Sequence, residues 1–217
     1  MSAVLYYFDG RGKAEIVRLA MAAAGVNFSQ VDIREKDQFV QLKTDGKLLF
    51  GQLPLVEFEG NFMVQSGSTA RFFARRANLL GQNEQDIFKI DVLFEGTRDF
   101  NSAFMSYGFQ GFQQVLDKAK QTAMPRYLTI FNQVLKENGS NGFLVGSSLS
   151  LADLGLLEPV LTIAELLGED ELKPYPEIEN FLKHMRSNAL ISNYLNSDLR
   201  RKKNDEKYVA EVQAVLY

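Results

Sequence analysis

The chain has no cysteine, no tryptophan and a single histidine, His184, among its 217 residues. Without cysteine there are no disulfides, no thiolate zinc ligands and no protein thiol to act as a nucleophile. One histidine is too few for a transition-metal site, so no metal is expected. Any sulfur nucleophile must therefore arrive with a substrate. Charge of one sign is lacking too: 24 Lys and Arg against 27 Asp and Glu leave a formal charge of -3. No global basic field exists to gather phosphate backbones or anionic lipids, which makes nucleic acid a poor partner. No apolar run approaches the roughly 20 residues that span a bilayer, and the opening MSAVLYYFDGRG has neither the basic n-region nor the long h-region of a signal peptide. A soluble, cytoplasmic protein is expected. Five prolines and 46% apolar residues allow a sizeable core, in one long or two short domains.

Val4 to Phe8 is a short apolar and aromatic run that predicts a buried strand, closed by the turn residues Asp9, Gly10 and Gly12. Ile16, Leu19, Ala20 and Ala23 then recur at helical spacing, with Gly25 placed as a helix C-terminal glycine. Ser29 to Ile33 reads as a second strand, which completes a β-α-β unit, and one short helix is expected between Glu35 and Gly51. Leu55 to Phe58 and Phe62 to Val64, separated by Glu59, Gly60 and Asn61, have the pattern of a tight hairpin. A cis bond is admissible before Pro54, because X-Pro is the one linkage where the cis form is cheap. Ser66 to Ala77 predicts a helix with Ser66 near its N-terminus.

After the polar stretch Gly81 to Glu84 the periodicity becomes helical throughout, which predicts a domain boundary. Ile87, Ile90, Phe94 and Thr97 are expected on one buried face, and Ile130, Phe131, Val134 and Leu135 on another. Pro125 is expected to kink or interrupt that second helix. Ser150 with Asp153 three residues on predicts a capped, strongly apolar central helix. The expected fold is therefore α/β plus all-α: a thioredoxin-like β-α-β-α-β-β-α domain over 1–80, then an all-helical domain over 85–217.

That layout resembles the glutathione transferases, and the local residues are similar to the alpha class. The run LYYFDGRGKAEIVRLAMAAAGVNF resembles the amino terminus of that class. FGQLPLVEFEG is similar to its cis-proline strand, and MVQSGSTARFFA to its glutathione-binding helix entry. VGSSLSLADLGLLE resembles the family's capped core helix, and NDEKYVAEVQAVL the extra carboxy-terminal helix of the class. The resemblance covers essentially the whole chain and is weakest between Tyr107 and Thr122. It implies a dimeric detoxification enzyme that conjugates glutathione to small hydrophobic electrophiles, with peroxidase or isomerase side activities possible on the same thiolate. It implies no cofactor beyond glutathione as co-substrate. A carrier of apolar ligands and a lens-crystallin-like structural protein are the alternatives on the same scaffold.

Tyr7 stands where the family has its catalytic tyrosine, whose hydroxyl would donate to the sulfur anion and so favour the reactive thiolate. Read by itself, Tyr7 is one aromatic in a core strand, with Tyr6 facing the opposite way. Lys13 stands where the class has an arginine near the sulfur; it keeps the charge but not the planar fork of donors. Lys43 likewise replaces an arginine for the glycyl carboxylate. Gln52, Leu53, Gln65 and Ser66 match the glutathione-backbone contacts. Leu53 would offer its main chain as one more strand, and Ser66 with its helix N-terminus would hold a carboxylate. Asp99 and Arg126 match residues that reach the partner subunit's glutathione, and Phe50 matches an aromatic key in the dimer interface. By the same resemblance the electrophile would meet Phe8, Met105, Phe109, Val209, Val212 and Leu216, with the last helix as a lid. His184 is given no chemistry, and the cationic run Arg200 to Lys203 reads as a solvated loop.

Overall fold

The computed structural model describes every residue except Met1, Tyr107, Gly108 and Gln110. The chain gathers into two compact units, one of Met1–Phe73 with Asn193–Tyr217 and one of Ala74–Ser192. The last segment was expected to belong with the helices by its periodicity. Instead it packs into the sheet unit, because its apolar face and its basic run both find partners there.

The sheet unit follows the order β1 (Ser2–Tyr7), α1 (Glu15–Ala23), β2 (Asn27–Asp32), α2 (Lys36–Thr44), β3 (Leu55–Phe58), β4 (Asn61–Val64) and α3 (Ser66–Arg76). The strands lie in the order β2-β1-β3-β4, with β1 parallel to β2 and antiparallel to β3. Ala3, Leu5 and Tyr7 turn into the core from one face of β1, while Tyr6 points the other way and donates to Glu57 at 3.3 Å. Between β3 and β4 the turn is two residues, Glu59 and Gly60, both left-handed at φ 51° and 75°. This is a primed turn, which shortens the three-residue connection expected and takes Asn61 into the strand. α1 is buried almost all round and ends at Gly25, φ 63°, as its sequence predicts.

The helical unit holds α4 (Glu84–Ser102), α5 (Phe112–Gln121), α6 (Ala123–Glu137), α7 (Leu151–Leu166) and α8 (Pro176–Ser187). α7 is its centre. Its capping box forms in full between Ser150 and Asp153, and apolar residues bury on every side of it. Against α7, α4 turns Ile90, Phe94 and Thr97 inward, but Ile87 is exposed, as is Ile130 on α6. Both fall outside the buried arc when the full helices are drawn. Pro125 does not kink α6: it sits in the first turn, where its missing N–H costs no intrahelical bond, and the chain breaks earlier, at Thr122. α9 (Ala189–Leu195) and α10 (Glu206–Leu216) close the chain.

Candidate functional site

Strand register assembles the site. Tyr6 pairs with Leu55 and Leu55 with Val64, so the end of β1, the start of β3 and the end of β4 lie side by side at one end of the sheet. Tyr7 closes β1, Gln52 to Pro54 lead into β3 through a cis Leu53–Pro54 bond, and Gln65 and Ser66 follow β4. Gln65 adopts φ 67°, unusual for a residue with a side chain, and takes the position before the first turn of α3. Ser66 is the first residue of that helix, so the free N–H groups of its N-terminus open toward the same end of the sheet.

The Tyr7 hydroxyl is the chemical centre of this arrangement. Its side chain is buried, and its oxygen accepts the main-chain N–H of Lys13 at 2.9 Å. The Lys13 side chain itself is exposed. Gly12, φ 40°, passes so close that a Cβ there would stand 2.3 Å from the Tyr7 oxygen, and only glycine fits. A second hydroxyl, that of Tyr208 on α10, lies 3.4 Å from the first. Tyr208 is itself buried and meets Phe8 edge-on.

The loop that carries Lys13 is held by a buried polar cluster. Arg18, 1% exposed in the middle of the apolar α1, donates to the carbonyls of Gly10 (3.0 Å) and Arg11 (3.2 Å), to Gln30 (2.6 Å) and to Glu15 (3.3 Å). Its guanidinium also lies 5.9 Å from the centre of the Tyr7 ring. The Tyr194 hydroxyl donates to Glu15 at 2.9 Å, and burial, with that carboxylate beside it, pushes the phenol well above its ordinary range. Gln30 passes the network on to the Leu199 carbonyl at 2.8 Å. From the other side Asn204 accepts the N–H of Arg11 at 3.1 Å and of Gly12 at 3.4 Å, and Arg11 donates to the Arg201 carbonyl at 2.9 Å. Arg201 pairs with Asp32. The basic run is thus not simply a solvated loop: Arg200 and Arg201 face carboxylates of the sheet unit, and Lys202 and Lys203 are exposed.

Other candidates are placed more simply. Lys43 is exposed on α2 beside the Phe39 ring and Gly51, and Phe50, next to the exposed Leu49, stands out at 60% exposure. Phe8 and Val212 are buried in the sheet unit, Val209 is half-buried, and Leu216 is exposed. In the helical unit Asp99 is exposed on α4, Arg126 is exposed on α6 over the Tyr127 ring, Met105 is half-buried and Phe109 is exposed. His184 packs edge-on against Phe143 at 4.7 Å. Among the described residues no cluster of three His, Cys, Asp or Glu could hold a metal, and no helix is long and apolar enough to cross a membrane.

Sequence reasoning missed Tyr208, Arg18, Glu15 and Asn204. The signal available for Arg18 was a charged residue amid a helix that is otherwise apolar. Tyr208 leads a Tyr208, Val212, Val215 stripe, which marks a buried face but not what covers it.

A thioredoxin-like sheet whose end gathers a buried tyrosine hydroxyl, a cis-proline strand and a helix N-terminus defines a class that handles small thiols. Known proteins agree. The model of the glutathione S-transferase N-terminal domain matches residues 3–75, and that of the C-terminal domain matches residues 98–198. Glutathione S-transferase 3 of Gallus gallus is 37% identical over 98% of this chain and 94% of its own length. Glutathione S-transferase A4 of Homo sapiens is 34% identical over 98% and 96%. Among solved structures, a monomeric glutathione S-transferase of Necator americanus superposes with a TM-score of 0.80 at 26% identity, covering 94% of this chain and all of that one. The Pi-class enzyme of Onchocerca volvulus gives 0.78 at 30% identity, covering 90% and 92%. The chain belongs to the glutathione S-transferase family.

Proposed function

We propose that this protein conjugates the thiol of glutathione to small hydrophobic electrophiles, and that the Tyr7 hydroxyl activates that thiol. The observation that carries the reading is the buried Tyr7 oxygen with the Lys13 N–H donated to it. An oxygen that accepts one hydrogen bond still carries a proton of its own to donate. A thiol of pKa about 8.5 is mostly protonated at neutral pH, and a donor to the sulfur anion shifts it toward the thiolate. The thiol proton leaves to solvent, and Tyr7 keeps its own.

Gln52, Leu53, Gln65 and Ser66 would hold the glutathione backbone beside it, with the α3 N-terminus taking a carboxylate and Lys43 a second one. Val209, half-buried on α10, would offer apolar surface to the electrophile. Lys13 acts on this reading through its main chain. A carrier needs no oriented hydroxyl, so the enzyme reading is favoured. Glutathione must be reduced to react, and the cytoplasm is the compartment that keeps it so. Replacing Tyr7 with Phe removes one charge-assisted hydrogen bond worth roughly 1.5 to 3 kcal/mol, or about one to two decades in rate, with glutathione binding retained. Full conjugating activity of the variant toward an aromatic halide would refute the role.

The same reading makes the protein a homodimer in which Phe50 enters the partner. Exposure of Phe50 and Leu49 together supports this, since adjacent large apolar side chains rarely face water without a use. The Necator americanus relative is monomeric, and sedimentation separates the two states. Sedimentation should give a dimer that Phe50→Ala loosens, whereas a stable, active wild-type monomer would contradict it.

A further inference from the structure

We infer that Asn204 is a positioning residue for thiol activation: from the far end of the chain, its side-chain oxygen sets the loop whose main chain holds the Tyr7 hydroxyl. The inference rests on the reading of Tyr7 given above. The Asn204 Oδ1 accepts the N–H of Arg11 at 3.1 Å and the N–H of Gly12 at 3.4 Å. The next N–H along the chain, that of Lys13, donates to the Tyr7 oxygen at 2.9 Å. All three donors are main-chain N–H groups, so the direction of each bond is fixed.

Asn204 works together with Arg18 on the same two peptide units. The Arg18 guanidinium donates to the Gly10 carbonyl at 3.0 Å and to the Arg11 carbonyl at 3.2 Å. Those carbonyls belong to the Gly10–Arg11 and Arg11–Gly12 peptides, whose N–H edges are the ones that Asn204 accepts. A peptide unit is planar, so a plane held at its C=O by one side chain and at its N–H by another cannot turn about its own axis. Two successive planes are held in this way, and the third, Gly12–Lys13, presents its N–H to Tyr7. Glycine 12 at φ 40° leaves this segment without the help of regular secondary structure, which makes the side-chain grip necessary.

The grip is itself anchored. Asn204 is buried, and Asp205 beside it caps α10 by accepting the Tyr208 N–H at 2.9 Å. A second tie runs from the Arg11 Nε to the Arg201 carbonyl at 2.9 Å. A residue that only tethered the end of the chain would change stability when replaced, whereas a positioning residue changes the chemistry of bound glutathione.

The test is a thiolate absorbance titration of glutathione bound to the full-length wild type, Asn204→Leu, Asn204→Asp, Tyr7→Phe and the Asn204→Leu/Tyr7→Phe double variant, with the glutathione KM of each. Leucine keeps the size and removes the acceptor, while aspartate keeps an acceptor oxygen in the same place. Asn204→Leu should raise the thiol midpoint by roughly half a pH unit and leave the glutathione KM within about twofold of the wild type. Asn204→Asp should stay nearer to the wild type than Asn204→Leu does. The double variant should match Tyr7→Phe alone, because Asn204 reaches the sulfur only through the placement of Tyr7. If leucine is not accommodated, Asn204→Ala takes its place, alone and in the double variant, under the same criteria. An Asn204→Leu midpoint equal to that of the wild type, beside a raised Tyr7→Phe midpoint, overturns the inference and leaves the Tyr7 reading standing. An aspartate variant shifted as far as the leucine variant, a further rise in the double variant, or a loss of glutathione affinity common to both Asn204 variants overturns it too. A Tyr7→Phe midpoint equal to the wild type would sink the Tyr7 reading and this inference with it.

Discussion

The Asp153 group of the helical unit and the Tyr7 cluster of the sheet unit bury polar groups in opposite ways. In the helical unit the central polar element is local: Asp153 accepts the Ser150 N–H and hydroxyl three residues away, and the Leu144 N–H nine away. In the sheet unit the cluster around Tyr7 joins both ends of the chain, with Arg11 bonded to Asn204 at a separation of 193 residues and Glu15 to Tyr194 at 179. The Asp153 group starts a helix, whereas the cluster around Tyr7 fixes a loop beside one hydroxyl. A local cap specifies where a helix begins, while a long-range cluster specifies the position of a side chain to within a fraction of an ångström, which is what proton donation requires.

Breaking each cluster should show the difference. The largest effect is expected from Arg18→Met, which keeps the stem and removes the guanidinium, leaving the Glu15 carboxylate buried and the Gly10 and Arg11 carbonyls without their donor. Denaturant unfolding should show a loss of about 3 to 5 kcal/mol. Any variant protein that still folds should have reduced conjugating activity, because the Lys13 loop loses its anchor. A loss below about 1 kcal/mol would mean that the cluster is structurally idle.

Next in size is Asp153→Ala, which leaves the N–H groups of Leu144 and Ser150 unsatisfied in the core and should cost about 3 kcal/mol. Its effect on glutathione binding should be no more than its effect on folding explains, in contrast to Arg18→Met. The smallest effect is a pH dependence. Burial pushes the Asp153 carboxyl up from 3.8 to about 6, against the lowering influence of the Leu144 and Ser150 donors. The folded protein then holds this proton more tightly than the unfolded chain. The site is accordingly most stabilising below pH ~4 and loses stability as pH rises from ~4 to ~6. Measured against Asp153→Asn, which does not titrate, the wild type should lose ground over that interval; a gain would show that the carboxylate is stabilised in its charged form.

The same contrast decides what the sequence could tell. The cap before α7 was legible because Ser150 and Asp153 are three residues apart and a capping box is a local pattern. The hairpin, α1 with its glycine stop and the cis Leu53–Pro54 bond were legible for the same reason. Pro125 and Ile87 misled because a breaker or an apolar residue has meaning only once the helix ends are known. Tyr7, Gln65 and Ser66 were named through resemblance, and their convergence at one end of the sheet follows from strand register that no single segment encodes. Asn204 left no sign, Arg18 showed only as a charge amid apolar residues, and Tyr208 only as part of a buried stripe. The partners of Asn204 and Tyr208 lie at the opposite end of the chain, and although Glu15 precedes Arg18 by three residues, nothing in that spacing shows that the pair is buried or that Arg18 reaches the Gly10 and Arg11 carbonyls.

The central claim is that the Tyr7 hydroxyl, held by the Lys13 N–H, lowers the pKa of the glutathione thiol. The most direct measurement is the thiolate absorbance of bound glutathione as a function of pH in the wild type and in Tyr7→Phe. The wild-type midpoint should fall below the roughly 8.5 of a free thiol, and the variant should move back toward it by about one to two pH units. Coincident midpoints, with glutathione bound in both proteins, would contradict the account.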